Sequence, residues 1–124
     1  MATHVVVGRA RDGSAAEIAR LAQRGGTVDK CVPGWARAGD AALFYLLNPE
    51  GSFVALGRLV SDAERRPGVE RKFFAEIADV EWIPEPVRRL EVVEHVPGWG
   101  WPRQPHRTTT VPPDVEEELL ELLL

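Results

Sequence analysis

The sequence predicts a small α/β (α+β) domain, a pseudo-β-barrel of five or six strands flanked by two or three helices. Three observations carry that reading. The apolar runs 41–47 and 53–60 are too short for helices and rich in strand formers. Asn48-Pro49-Glu50-Gly51, between them, is a turn signal. Helix signatures fall only near Ser14 and after Pro113, one on either side of the strands.

Each element follows from local chemistry. His4–Val7 holds three consecutive valines with Gly8 after them, which reads as a buried strand. Ser14 and Glu17 have the spacing of a capping box, and Ala15, Ile18, Ala19, Leu21 and Ala22 form an apolar stripe that Gly25-Gly26 ends. Thr27–Ala38 reads as a loop, with Pro33-Gly34 as a turn and Trp35 beside it. Ala41–Leu47 and Phe53–Val60 form a hairpin. The second strand is apolar on both faces and so central, and its Gly57 marks a close approach of another backbone or a ligand.

Ser61–Val69 reads as a polar loop carrying Arg65, Arg66 and Pro67. Phe73–Trp82 is a long strand whose apolar parity shifts near Ala78-Asp79, as a bulge produces, and Pro84 and Pro86 are expected to end it. Leu90–Val93 fits a short strand or a helical turn. After the loop VPGWGWPRQPHR comes a brief strand, Thr108–Val111. Pro113 and the acids behind it then open a final helix. That helix ends in ELLELLL without a stop signal, so it either docks on the body or runs on into a longer protein, of which residues 1–124 are one domain.

Composition bounds the function. At 124 residues and 44% hydrophobic content the chain can close a core without metals or disulfides. A single cysteine, Cys31, fits a reducing, cytoplasmic setting. The net charge is −4, but Asp114, Glu116, Glu117, Glu118 and Glu121 all lie at the end of the chain. Without those five, 14 acids face 15 lysines and arginines, so a nucleic-acid role rests on a local site rather than on overall charge. His4, His95 and His106 are scattered and lack zinc-ligand spacing, GRARDG lacks the phosphate-loop pattern, and no serine sits in a nucleophile elbow. No metal, cofactor or catalytic set is expected, and the chain reads as a binding module.

The aromatic residues point to what it binds. Three of its four tryptophans, Trp35, Trp99 and Trp101, fall in predicted loops. Two readings stand: they cap the barrel end, or they stack on a planar group, each stack being worth roughly 1–3 kcal/mol. Arg103, His106 and Arg107 follow Trp99 and Trp101 closely, as phosphate contacts beside an extruded base would, with Arg65 and Arg66 on the other loop. Pro97, Pro102 and Pro105 stiffen the segment and lower the entropy lost on binding.

Gly39-Asp40 leading into Leu43-Phe44-Tyr45, the returning Val54-Ala55-Leu56-Gly57, Pro86, and Arg107-Thr108-Thr109-Thr110-Val111-Pro112 before a helix resemble, in order and spacing, the EVE domain. EVE domains belong to the PUA-like superfamily, close to YTH domains, which bind methylated adenine in RNA. The resemblance spans about His4 to Leu120 and implies a PUA-like pseudo-barrel with a pocket for a modified base. In that superfamily the first strand ends at the pocket, which implicates Gly8–Asp12, with Arg9 and Ser14 as base contacts. Asp40 and Tyr45 are read as structural. The implied partner is nucleic acid, DNA before RNA, carrying methylated or hydroxymethylated cytosine or methyladenine, with a fused or associated nuclease. Two rivals come from other classes. ASCH domains share the barrel, and some hydrolyse a modified cytidine, which would cast Thr27, Lys30 and Glu76 or Glu81 as catalytic. The leucines of the last helix would instead serve a protein–protein module.

Overall fold

The computed structural model describes residues 1–9, 13–47, 51–105 and 107–124, with Glu70 described in its backbone alone. Among the described residues, one seven-stranded sheet and three helices make an α+β fold. The strands are β1 (Thr3–Gly8), β2 (Val28–Val32), β3 (Ala41–Leu46), β4 (Ser52–Leu59), β5 (Glu64–Arg66), β6 (Val69–Arg88) and β7 (Thr109–Thr110). The helices are α1 (Ser14–Arg24), α2 (Arg89–His95) and α3 (Pro113–Leu123), and a 3-10 turn covers Trp101–Arg103. The sheet runs β2-β6-β4-β3-β1-β7, with β5 paired to β6, and curls into a half-barrel. β1 lies parallel to β3, and every other pairing is antiparallel.

Strand periodicity explains why the sheet is buried on both faces. Val6, Ala42, Phe44 and Ile77 face α1 and meet Ile18 and Leu21. Their neighbours Val5, Leu43, Tyr45 and Phe53 face the other way, onto Val92 of α2 and Val115, Leu119 and Leu123 of α3. The continuous apolar runs of β1 and β3 are therefore two alternating half-patterns, each with its own core. α3 docks on the body, the first of its two expected courses. Among the described residues no helix is long and apolar enough to cross a membrane.

Several local expectations are corrected. Val28–Val32, read as part of a loop, is strand β2, held as an edge by antiparallel pairing with residues 73–77 of β6. Glu64–Arg66, also read as loop, is strand β5. Pro84 and Pro86 do not end β6, which continues to Arg88. Between the pairs Ala55–Trp82 and Phe53–Val87, β6 advances further than β4, so both prolines sit on a bulged stretch where no ladder hydrogen bond is required of them. Leu90–Val93 resolves into the helix α2. The capping box does not form: Gly13 is the N-cap, with φ 79°, and Ser14 is the first helical residue. The turn at Asn48-Pro49-Glu50 lies outside the described residues.

Other readings hold. The bulge near Ala78-Asp79 is present, with Asp79 at φ 54° and its carboxylate 2.7 Å from Arg58. At Gly57 a Cβ would come within 2.8 Å of Ile77 and 3.2 Å of the Ala78 carbonyl, so β6 makes the close approach. Asp40 is structural and joins the segments that close the sheet. It accepts hydrogen bonds from His4 Nε2 at 2.7 Å and from the amides of Arg37 at 3.0 Å and Ala2 at 3.1 Å. His4 is fully buried, and its Nδ1 meets Thr110 Oγ1 at 2.9 Å.

Burial pushes the Asp40 carboxyl up, but the His4 bond, the two amides and the charge of His4 outweigh it and hold the group below the usual carboxylate range. A depressed carboxyl contributes stability that is complete above its unfolded value, near 3.8, and is lost as pH falls through the folded value. Wild type is thus expected to lose stability below about pH 4 more steeply than Asp40→Asn, measured by urea midpoints across an acid series. Parallel acid slopes would rule this account out.

Candidate functional site

Gly8 ends β1 where α1 begins, and the two elements touch. A Cβ on Gly8 would lie 2.7 Å from Ser14 Oγ and 2.9 Å from Ser14 Cβ, so the missing side chain is what lets the helix start against the strand end. Beside this junction opens a cleft of about 420 Å³. Val7 and Gly8 line it from β1 and Arg9 from just past it, Ser14 and Glu17 from α1, Lys30 and Cys31 from β2, and Leu47 from just past β3. Lys72 of β6 and Arg107 and Thr108, which precede β7, complete the wall.

The charge is one-sided. Lys30 Nζ is 2.6 Å from Glu17 Oε1, and this pair is about three-quarters buried on both sides. Arg9, Lys72 and Arg107 also line the cleft and form no salt bridge among the described residues. Four cations therefore face one carboxylate, and the first turn of α1 adds the positive end of a helix dipole at Ser14. Such a cleft attracts an anion and, being walled by protein, focuses the field on it.

Of the sequence-expected contacts, Arg9, Ser14 and Arg107 are gathered here. Trp99 and Trp101 are corrected. Trp99 is 3% exposed and packed in the α3-side core, 6.0 Å from the Phe53 ring, so no base can reach its face. Trp101 stacks on Trp99 at 5.5 Å and meets Tyr45 edge-on at 5.1 Å. Its Nε1 donates to the Arg107 carbonyl at 2.9 Å. The pair acts as a brace: two stacked indoles fix the backbone that presents Arg107 to the cleft. Tyr45, buried beneath them, is structural as expected.

Trp35 is different. It is 67% exposed, yet its Nε1 donates to Thr110 Oγ1 at 2.7 Å, which fixes the ring at the β7 edge, two residues beyond Thr108. It does not line the cleft itself. Arg103, in the 3-10 turn, is exposed and also lies off the lining. Arg65 sits over the Phe73 ring at 5.1 Å. Arg66 lies over Phe74 and pairs with Asp29 of β2 at 2.8 Å and Glu64 of β5 at 3.2 Å, so its charge is spent on those two carboxylates. Neither is in the cleft, and His106 lies outside the described residues.

Lys72, Glu17 and Thr108 are site residues that sequence reasoning misses. Lys30 enters it only as a catalytic candidate beside Thr27 and Glu76 or Glu81, and those residues are not brought together. Thr27 and Glu81 line a separate hollow at the end of α1, and Glu76 stands opposite Asp29 in the β2–β6 ladder.

No known protein-family model matches the chain, and no curated protein does. Solved structures do. A crystallographic structure of a protein from Agrobacterium tumefaciens superposes with a TM-score of 0.72 at 15% identity, covering 99% of this chain and 91% of that one. A hypothetical protein from Leishmania major gives 0.71 at 13%, covering 98% and 94%. An NMR structure from Rhodopseudomonas palustris gives 0.62 at 16%, covering 99% and 90%. At these identities the likeness is one of fold.

Proposed function

We propose that the cleft at the end of β1 binds nucleic acid and seats one flipped, modified base, so that the chain reads a modification without turning it over. One observation carries this: four cations from segments far apart in sequence converge on a single cleft in a chain whose net charge is −4. Its volume falls in the range of small-molecule pockets, about 300–1,000 Å³. Arg9, Lys72 and Arg107 take the backbone phosphates, while Val7 and Leu47 give the base an apolar floor. Glu17 and Lys30 offer an acceptor and a donor side by side for a base edge. The resemblance to EVE domains supports the same assignment. In this reading the protein is cytoplasmic, favours DNA over RNA, and directs a fused or associated nuclease to modified sites.

Of the three loop tryptophans, Trp35 alone is exposed, and from outside the cleft it would stack on a base that flanks the seated one. Titration with short oligonucleotides carrying methylcytosine, hydroxymethylcytosine, methyladenine or no modification, as DNA and as RNA, tests the proposal through tryptophan fluorescence. The expected result is salt-sensitive binding confined to one modified member. Trp35→Ala should weaken that binding by about 1–3 kcal/mol and leave the melting temperature unchanged. Flat curves across the panel would reject the reading.

A further inference from the structure

α3 buries one apolar stripe, as a surface helix does, and leaves a leucine outside it. Val115, Leu119 and Leu123 are buried in the core. Leu120 and, just past the helix, Leu124 lie one turn apart in a shallow, open surface groove on its outer face, with Pro113, Glu116, Glu117 and Glu121 of the same helix around them. Leu124 is 69% exposed. Glu116 accepts a hydrogen bond from the Thr3 hydroxyl at 2.6 Å, but Glu117 and Glu121 are exposed and have no cationic partner among the described residues.

We infer that this groove docks a basic amphipathic helix of another protein, whose apolar anchors seat between Leu120 and Leu124 while its lysines or arginines meet Glu117 and Glu121. Charge complementarity selects that occupant. A second copy packed α3 on α3 about a two-fold axis would set the glutamates of one chain against those of the other. Nucleic acid is repelled by the same row. The groove begins beside Thr3, at one end of β1, and the cleft lies past Gly8, at the other, so docking here leaves the cleft open.

The test uses the full chain and three labelled synthetic peptides, read by fluorescence anisotropy. One is a leucine–lysine helix with leucines every third or fourth residue, one a composition-matched scramble, and one the glutamate counterpart. The first should bind at least about tenfold more tightly than the other two. Glu117→Lys with Glu121→Lys, both exposed, should turn the preference towards the glutamate peptide. Leu124→Ser should weaken the lysine peptide about tenfold with the melting temperature unchanged. Equal binding of the scramble, or an unreversed preference in the double variant, overturns the inference. So does self-association of wild type that Leu124→Ser abolishes, since a second copy would then fill the groove.

Discussion

Trp99→Ala is expected to destabilise the domain by about 3–5 kcal/mol, the range for deleting a large buried aromatic. A small domain has on the order of 5–15 kcal/mol in total, so the variant will populate unfolded chain near physiological temperature. The reason is position rather than size alone. Trp99 joins Phe53 of the sheet to Val115 and Leu119 of α3 and supports the stacked face of Trp101, so its loss opens a cavity shared by three elements. Trp101→Phe makes the informative contrast. It keeps a ring against Tyr45 but removes the N–H that holds the Arg107 carbonyl. Its urea midpoint should move little, while oligonucleotide binding weakens. A Trp99→Ala midpoint equal to wild type would contradict the core assignment outright.

The second large effect is on binding. Lys72→Ala with Arg107→Ala removes two exposed cations from the cleft wall and leaves the buried cores untouched, so the fold should persist. A hydrogen bond to a charged group contributes about 1.5–3 kcal/mol, so each substitution should cost roughly tenfold or more in affinity. The plot of log affinity against log salt should also become shallower by about two, one for each phosphate no longer neutralised. Arg65→Ala should leave that slope alone, because its guanidinium lies over Phe73, away from the cleft. If the double variant kept the wild-type slope, the cleft would not be the phosphate site.

The fold class is legible in the sequence because β1, β3 and β4 bury both faces, and a run apolar in both parities announces a central strand whatever surrounds it. β2 and β5 are not legible. VDKCV and ERR carry little strand propensity, and both are strands because β6 offers them hydrogen-bonding partners. The site divides along the same line. Arg9 and Ser14 can be read from the end of β1 and the start of α1, which are adjacent in sequence. Lys30 and Lys72 reach the cleft only through the β2–β6 pairing, which rests on a strand the local sequence does not signal. Trp99 and Trp101 mislead a sequence reading because a tryptophan between prolines and glycines looks exposed, whereas this connection folds back onto α3 and is filled by its own rings.

The place of β1 between β3 and β7 has a consequence for how the chain comes together. Thr3 is bonded through its carbonyl to the Val111 amide and through its hydroxyl to Glu116, and His4 pairs with Thr110. β1 therefore waits for β7, made 106 residues later at the His4–Thr110 contact, before its ladder is complete. Until then one edge of a valine-rich strand stands open, and closing it joins His4 to Thr110, 106 residues apart. Pairings so distant in sequence slow folding. They also leave the β1 edge in need of protection from other strand edges until β7 has been made.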